Sequence, residues 1–392
     1  MNIHYLDNSA TTMLCEDAKQ AIISAMDNNF GNPSSLHALG VMAEQAISEA
    51  RSKIIYAMGV KAKPEQIIFT SGGTEAANLA LIGFATAKPR NKGKQILIGE
   101  SEHDYVLRAA EYLEKLGFKV VRIPSPNGVW DIKAYEKALG SDVILVSAML
   151  VNNETGAVND INTIASMARA ASPDVVIHTD AVQGFLKLDK PLSTLDVDMI
   201  SISGHKIGAP KGVGALYVRE EILKTKSLVP IVFGGGQENG YRSGTENTLG
   251  IIGFGAAAKS HAQNLKQNQL KIASLRALLG SKLLGVSGVR MNIPQTAEIA
   301  KHIVNLTVFG IKSETLLHHL SGHGIYVSSG SACSSNTGHL SHSLKSFGLS
   351  DEDIGSSIRV SFSENNTEDD VNAFIDALFD GIAKLAKIKV RK

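Results

Sequence analysis

Short apolar segments alternate with amphipathic stretches between about residues 60 and 220. The apolar segments are rich in valine and isoleucine, and in chain order they read QIIF, QILI, KVVRI, VILVSAML, VVIHTD, DMISIS and VGALYV. Continuous apolar strands separated by helical patterns are typical of a mainly parallel sheet with helices on both faces. The pattern therefore predicts a large α/β domain.

The two ends of the chain have other patterns. Residues 34–58 and 248–285 show apolar positions close to helical spacing, which predicts two long helices. Beyond the second helix, strand-like segments IVNLTVF, GIYVSS and SSIRVSF mix with helical ones, which indicates a smaller α+β domain. We expect a large domain over 15–260 and a small domain formed by 1–14 and 261–392.

Composition excludes several classes of function. The 392 residues exceed the size at which one hydrophobic core stops growing, and the net charge of +1 provides no basic field for nucleic acid or an anionic membrane. No segment approaches the roughly 20 apolar residues of a membrane span, and no secretory signal pattern is seen, so we expect a cytoplasmic protein. The two cysteines, Cys15 and Cys333, are read as individual thiols.

Candidate ligand-binding residues follow the predicted strands, where open α/β sheets bind their ligands. Gly73 and Thr74 lie in SGGTEAANLAL at the start of a helix, a place that suits a phosphate group or an ordinary helix cap. Asp180 and Gln183 follow VVIHT. Asp180 fits either a helix cap or a carboxylate that holds a protonated ring nitrogen.

Lys206 lies in SISGHKIGAPKGVGALYV, a glycine and proline turn between two apolar strands. A lysine that only improved solubility would not need this setting, whereas a lysine with a covalent role would. Pyridoxal phosphate requires a lysine, an acid for its ring nitrogen and a cradle for its phosphate. Ser203 and His205 in the same turn could add phosphate donors.

Three further residues have two readings each. His103 in GESEHDYV is either structural or stacked on a planar cofactor. Arg359 in SSIRVSF needs an anion if it is buried, either a substrate carboxylate or a protein carboxylate. Asn153 in VNNETG fits an ordinary turn residue as well as a ligand-binding one.

Cys333 lies in SSGSACSSNTGHLSHS among small polar residues, unlike a cysteine that packs in a core. This setting predicts an accessible nucleophile. We assign no role to Cys15. The histidine-rich segment HHLSGHG suggests a metal site, but it has no carboxylate or thiol nearby in the sequence and reads as the end of an amphipathic helix. The sequence therefore predicts no metal site there.

Together these motifs resemble the cysteine desulfurases of the nitrogen-fixation and iron–sulfur-cluster type, in the class V aminotransferase group of fold-type I pyridoxal-phosphate enzymes. The resemblance covers nearly the whole chain and rests on YLDNSATT, GNPSSLHALG, FTSGGTEAANLAL, EHDYV, NNETGAV, HTDAVQ, SISGHKIGAPKGVGALYV, FGGGQENGYRSGTEN, SSGSACSS and SSIRVSFSENNTEDDV. It implies a large domain with a mainly parallel, seven-stranded sheet and a smaller α+β domain that carries the catalytic cysteine.

The resemblance also implies roles for individual residues. Lys206 would bind the cofactor covalently, Asp180 would pair with its ring nitrogen, and Gln183 would reach its ring hydroxyl. His103 would stack on the ring and serve catalysis. Phosphate contacts would come from Gly73, Thr74, Ser203 and His205, and from Thr245 in RSGTEN reaching into the neighbouring subunit of a homodimer. The substrate carboxylate would be held by Asn153 and Arg359.

The implied reaction converts L-cysteine to L-alanine and leaves the sulfur on Cys333 as a persulfide. A sulfur-acceptor protein would then receive it for iron–sulfur clusters, thio-cofactors or tRNA thiolation. Selenocysteine lyase is the alternative enzyme, and a non-catalytic sulfur carrier or scaffold is the alternative of another class. A dinucleotide-binding enzyme is disfavoured because no G-x-G-x-x-G motif opens a helix after the first strand.

Overall fold

The computed structural model describes residues 2–88, 93–330 and 340–385. After a short first strand, β1 (His4–Tyr5), the chain builds one large sheet. Its strands are β2 (Ile67–Thr70), β3 (Gln95–Gly99), β4 (Lys119–Ile123), β5 (Val143–Met149), β6 (Val176–Asp180), β7 (Met199–Ser203) and β8 (Gly214–Val218). These seven strands are ordered β2-β8-β7-β6-β5-β3-β4. β8 runs antiparallel to both of its neighbours, β2 and β7, and the other neighbouring pairs in this sheet are parallel, which confirms the predicted fold class.

Helices cover both faces of this sheet. They are α1 (Glu16–Asn28), α2 (Ala38–Met58), α3 (Gly73–Asn78), α4 (Asp104–Lys115), α5 (Ile132–Ala138), α6 (Ile161–Ala171), α7 (Glu220–Lys224) and α8 (Thr248–Leu283). The helical path of α3 continues directly into a π-helical segment, Leu79–Gly83. Of the helices in the described part of the chain, none is long and apolar enough to cross a membrane.

The apolar character of the strands follows from burial on two sides. In β6, Val176 packs in one cluster of buried side chains and Ile177 in the other, and Met199 and Ile200 divide in the same way in β7. Successive side chains of a strand point to opposite faces, so both faces of these central strands require apolar residues.

A second group of elements follows α8. Its elements are β9 (Val289–Met291), β10 (Ile303–Val308), β11 (Ile325–Tyr326), β12 (Ser357–Ser361), α9 (Ser313–Gly322), α10 (His342–Phe347), α11 (Asp351–Gly355) and α12 (Glu368–Leu385). Three of these strands form an antiparallel sheet in the order β12-β10-β9, and β11 pairs in parallel with β1. We call this group the small unit.

Helix α8 contributes to both parts of the molecule. Ile251 and Phe254 near its start pack in a cluster against the large sheet, whereas Leu275 and Leu279 pack in the cluster of the small unit. The predicted domain boundary near residue 260 thus falls inside one continuous helix. The division into 15–260 and 1–14 with 261–392 stays a prediction.

Candidate active site

A cavity of about 260 Å³ opens beside the carboxyl ends of the central strands. There, Met149 of β5 pairs with Asp180 of β6, and Asp180 pairs with Ser201 of β7. The cavity is lined by Ser9, Ala10, Gly73, Thr74, His103, Tyr105, Met149, Val151, Asn153, Asp180, Val182, Gln183, Ser203, His205, Lys206 and Arg359. Most of the predicted site residues therefore meet in one place, although the sequence scatters them over nearly 300 positions.

Lys206 reaches the cavity from a single 3₁₀ turn, Gly204–Lys206, that follows β7 directly. Gly204 lets this turn lie close to the segment at Val213, because a Cβ at position 204 would lie 3.0 Å from Val213 Cγ1. The Lys206 Nζ donates hydrogen bonds of 2.7 Å to the carbonyl oxygens of Ser9 and Ala10. The N-terminal segment therefore fixes the amine at the cavity wall.

Asp180 ends β6 and is only 3% exposed. Its Oδ1 accepts a 2.9 Å hydrogen bond from the Val182 N–H, and its Oδ2 accepts one of 2.5 Å from the Tyr105 hydroxyl. Burial raises the pKa of the Asp180 carboxyl, while these two hydrogen bonds and the charge of Lys206 oppose the rise. A buried carboxyl held in this way is suited to pair with a cationic group in the cavity.

His103 caps the N-terminus of α4, where its Nδ1 accepts a 3.4 Å contact from the Tyr105 N–H. Its ring also stacks on the Tyr105 ring, with centroids 4.1 Å apart and planes 25° from parallel. Burial, with a smaller effect from the charge of Lys206, lowers the pKa of His103 to about 4. The imidazole is therefore neutral near pH 7 and presents a flat, uncharged face.

Tyr105 is a site residue that sequence reasoning missed. The residue it contacts, Asp180, lies 75 positions further along the chain, so no local pattern joins the two. The available signal was an aromatic residue two positions after His103, in the first turn of a helix that follows a strand end. Such a residue points back toward the strand ends.

Gln183 and Lys187 form a buried pair beside the cavity. The Gln183 side chain donates from Nε2 to the Ser9 carbonyl at 2.8 Å, and its Oε1 accepts a 3.2 Å hydrogen bond from the Lys187 Nζ. Burial, helped by the charge of Lys206, lowers the pKa of Lys187 to about 7. Lys187 was not predicted as a functional residue.

The end of the cavity beside Gly73 and Thr74 is suited to an anion. Gly73 begins α3, and a Cβ there would lie 2.7 Å from Val182 Cγ2, so a larger residue would require Val182 to move. A phosphate can accept hydrogen bonds from the N–H groups at the start of a helix and from the Ser203 hydroxyl. Burial and the charge of Lys206 lower the pKa of His205 to about 4, so its ring is neutral near pH 7.

Arg359 lies on β12 and is 2% exposed. Its Nη2 donates to Asp7 Oδ1 at 2.8 Å and its Nη1 to the Asn153 carbonyl at 2.9 Å. The ion pair with Asp7 is one of the two readings that the sequence left open, and Asp7, which lies 352 positions away, was missed. Because Arg359 and Asn153 also line the cavity, a carboxylate ligand can reach them there.

Two predicted residues are not among the described residues that line this cavity. Thr245 is exposed and is absent from the cavity lining of its own chain. Cys333 lies outside the described residues. Ser328, which precedes it in the sequence, exchanges backbone hydrogen bonds of 3.1 and 2.6 Å with Arg359, a residue of the cavity lining.

The chain is similar to known proteins over most of its length. The family model described as aminotransferase class-V matches residues 4–374. A protein named cysteine desulfurase IscS from Methanosarcina thermophila is 37% identical over 382 residues, which cover 97% of this chain and 92% of the relative. A solved structure titled NifS-like protein superposes with a TM-score of 0.89 at 32% identity, covering 98% of this chain and all of that one.

A second solved structure is titled SspA in complex with cysteine. It superposes with a TM-score of 0.78 at 32% identity and covers 93% of this chain and 99% of its own. All of these matches extend over nearly the full length of both proteins, so they concern the cavity and the small unit alike.

Proposed function

The chain belongs to the aminotransferase class-V family, as its sequence predicted, and from this premise we propose that it is a pyridoxal-phosphate-dependent cysteine desulfurase. One observation carries the proposal: Lys206 and the buried Asp180 line one cavity, together with Gly73, where an added Cβ would come within 2.7 Å of Val182 Cγ2. The relatives named cysteine desulfurase, similar over almost their whole length, support the reaction type.

The residues present fit pyridoxal phosphate. Lys206 would hold it covalently, Asp180 would pair with its ring nitrogen, and Gln183 would approach its ring hydroxyl. Contacts to its phosphate would come from Gly73, Thr74, Ser203 and His205. When bound, the cofactor supplies an electron-withdrawing ring that weakens the bonds at the substrate Cα.

The chain's own groups would then act on the substrate. Lys206 Nζ would take the Cα proton and return it, and the place of Lys206 in the cavity lining supports this role. The guanidinium of Arg359 and the side chain of Asn153 would orient the substrate carboxylate. The neutral His103 would provide a flat contact surface and a group able to hold a proton.

Sulfur transfer would take place at Cys333. Its thiolate attacks the sulfur of L-cysteine, the carbon–sulfur bond breaks, and protons from the enzyme complete L-alanine. The products are L-alanine and a persulfide on Cys333. We propose that a sulfur-acceptor protein receives this sulfur. We also propose that the transfer takes place in the cytoplasm, where the two cysteines of the chain would stay reduced.

We also propose a homodimer in which Thr245 contacts the cofactor phosphate of the neighbouring subunit. Thr245 is exposed, yet the segment before it is firmly held. Glu238 forms a bidentate pair with Arg51 at 2.8 Å and accepts a hydrogen bond from the Phe69 N–H. An exposed residue at the end of an anchored segment is well suited to reach a second chain.

The proposal is tested by adding L-cysteine to the cofactor-loaded enzyme and measuring alanine and protein persulfide. We expect both products from the wild type, and cofactor binding without persulfide from Cys333→Ser. Cys15→Ser is the matched control. Because burial raises the pKa of the Cys15 thiol, it is a poor nucleophile, and this variant should behave as the wild type.

Three results would contradict the proposal. Turnover of selenocysteine with negligible turnover of cysteine would identify a selenocysteine lyase. Failure to bind the cofactor and to turn over either substrate would indicate a non-catalytic sulfur carrier or scaffold. Persulfide formed at full yield on Cys333→Ser would place the nucleophile elsewhere.

A further inference from the structure

Two histidines of α9 and one aspartate of α12 meet at the surface of the small unit. His319 lies on α9 and His323 is the residue at its C-terminal cap, so the two follow each other by about one helical turn. Their ring centroids are 4.6 Å apart. Asp380 Oδ2 lies 3.4 Å from His319 Nε2 and 3.7 Å from His323 Nε2.

The carboxylate that HHLSGHG lacks in the sequence is thus supplied by another helix. α12 passes close to α9 at Gly381, where a Cβ would lie only 2.9 Å from the His319 ring carbon Cδ2. The glycine lets the imidazole pack against the neighbouring helix, and this approach brings Asp380 to both rings. The sequence argument against a metal site rested on the absence of a nearby carboxylate, and the fold provides one.

The separations match those of a metal centre. In a tetrahedral zinc site, bonds of about 2.0–2.1 Å place neighbouring ligand atoms about 3.3 Å apart. The three candidate ligand atoms here all lie within 4.8 Å of one another, and both histidine–aspartate distances are near the ideal value. Small side-chain rotations would bring the ligand nitrogens of His319 and His323 closer together.

The surroundings of His323 favour the tautomer that a metal needs. Its Nδ1 lies 2.9 Å from the His319 carbonyl oxygen, to which an Nδ1–H would donate, and this leaves the lone pair of Nε2 directed toward Asp380. Such a hydrogen bond to the second ring nitrogen is usual for histidines that bind metals. His319 Nε2 lies 3.2 Å from the Ala377 carbonyl and would turn away from it to bind.

We propose that His319, His323 and Asp380 bind a first-row transition metal ion of the Zn²⁺ class, with a fourth position left for water. Two imidazole nitrogens and one carboxylate suit Zn²⁺, Co²⁺, Ni²⁺ or Cu²⁺, whereas Mg²⁺ and Ca²⁺ prefer sets made entirely of oxygen. The Asp380 carboxylate also pairs with Lys384 Nζ at 2.8 Å, and metal binding would displace this exposed ion pair at little cost.

Metal binding would join α9 to α12. An ion that binds the folded protein and not the unfolded chain raises the stability of the fold. None of the three ligands lines the catalytic cavity, so turnover of L-cysteine is expected to be the same with and without the ion. The metal site and the proposed enzymatic function can therefore fail independently.

The test is calorimetric titration of the cofactor-loaded enzyme with Zn²⁺, after its cysteines have been alkylated so that thiols do not bind the ion. Wild type, His323→Ala and Asp380→Asn are compared with His318→Ala, in which an exposed histidine next to the site on the same helix is removed. We expect the wild type and His318→Ala each to bind one equivalent of Zn²⁺. His323→Ala and Asp380→Asn should lose this binding.

A second readout is the Tm with and without Zn²⁺. It should rise by several degrees for the wild type and the control, and remain unchanged for His323→Ala and Asp380→Asn. Asp380→Asn keeps the size of the side chain, so a folded variant is expected. Zn²⁺ binding of equal stoichiometry and affinity in all four proteins would overturn the proposal, as would absence of binding to the wild type.

Discussion

Lys206 and Lys187 line two adjoining pockets that differ greatly in volume. Lys187 is deeply buried, and its pKa of about 7 is the property usually associated with lysines that attack carbonyl groups. However, its Nζ is hydrogen-bonded to Gln183, and it lines a pocket of about 20 Å³ that has room for about one water molecule. Lys206 lines both this pocket and the 260 Å³ cavity that also contains Asp180.

We infer from this difference that space for a ligand, and not a lowered pKa alone, determines which amine can react. Lys187 instead holds Gln183, whose other amide atom is bound by the Ser9 carbonyl. Both ends of the Gln183 amide are thereby fixed before any ligand arrives. We therefore propose that Lys187 is a positioning residue and that Lys206 is the catalytic one.

The largest effect is expected for Lys206→Ala. Loss of the amine removes both the covalent attachment of the cofactor and the group that moves the Cα proton, so turnover should fall by roughly 10⁴-fold or more. Alanine formation and the visible absorbance of the bound cofactor are the two measurements. Lys187→Met serves as the contrast and should retain the absorbance of the covalently bound cofactor. Loss of this absorbance in Lys187→Met together with its retention in Lys206→Ala would contradict the assignment.

Asp180→Asn should have the next largest effect. An amide of the same size cannot hold a positive charge on the ring nitrogen of the cofactor, and the loss of such an electrostatic contact typically lowers kcat by roughly 10²- to 10³-fold. Steady-state kinetics at saturating cofactor measure this loss. A kcat equal to that of the wild type would show that this carboxyl only caps a turn.

Tyr105→Phe should have a smaller effect that depends on pH. The hydroxyl donates to Asp180 at 2.5 Å, and a hydrogen bond to a carboxylate contributes enough to change kcat by roughly tenfold. Because this bond lowers the pKa of Asp180, its loss should move the acidic limb of the pH–rate profile to higher pH. Tyr112→Phe, an exposed tyrosine of the same helix, is the control. Identical profiles for all three proteins would refute a positioning role.

Lys187→Met should change the pH dependence of stability. Between about pH 7, where folded Lys187 loses its proton, and 10.5, where the unfolded chain does, the unfolded state binds more protons. This group therefore makes the wild type more stable as the pH rises through that window. The Tm of Lys187→Met relative to wild type should fall from pH 7 toward pH 10. The exposed Lys133→Met should show no such trend, and a parallel response of both variants would exclude the effect.

The sequence was sufficient for those parts of the fold and site that depend on local order. Apolar strands predicted the large sheet, and residues placed just after strand ends, such as Asp180 and Lys206, lie beside the cavity as the sheet topology requires. The long helices predicted over 34–58 and 248–285 are observed as Ala38–Met58 and Thr248–Leu283.

The sequence was not sufficient where two distant segments meet. Asp7 and Arg359 pair across 352 positions, and Tyr105 and Asp180 across 75, so nothing near either residue signals its partner. Asp380 likewise completes the histidine cluster from a helix that follows several intervening elements. Such contacts depend on helix packing and strand order, which composition and periodicity do not specify.

The most direct test of the distinction between the two lysines is chemical trapping. Borohydride treatment of the cofactor-loaded enzyme converts the lysine–cofactor linkage to a stable amine, and peptide mass mapping then identifies the modified residue. We predict modification of the peptide that contains Lys206. Modification at Lys187, or at no lysine of an enzyme that has bound the cofactor, would contradict the assignment.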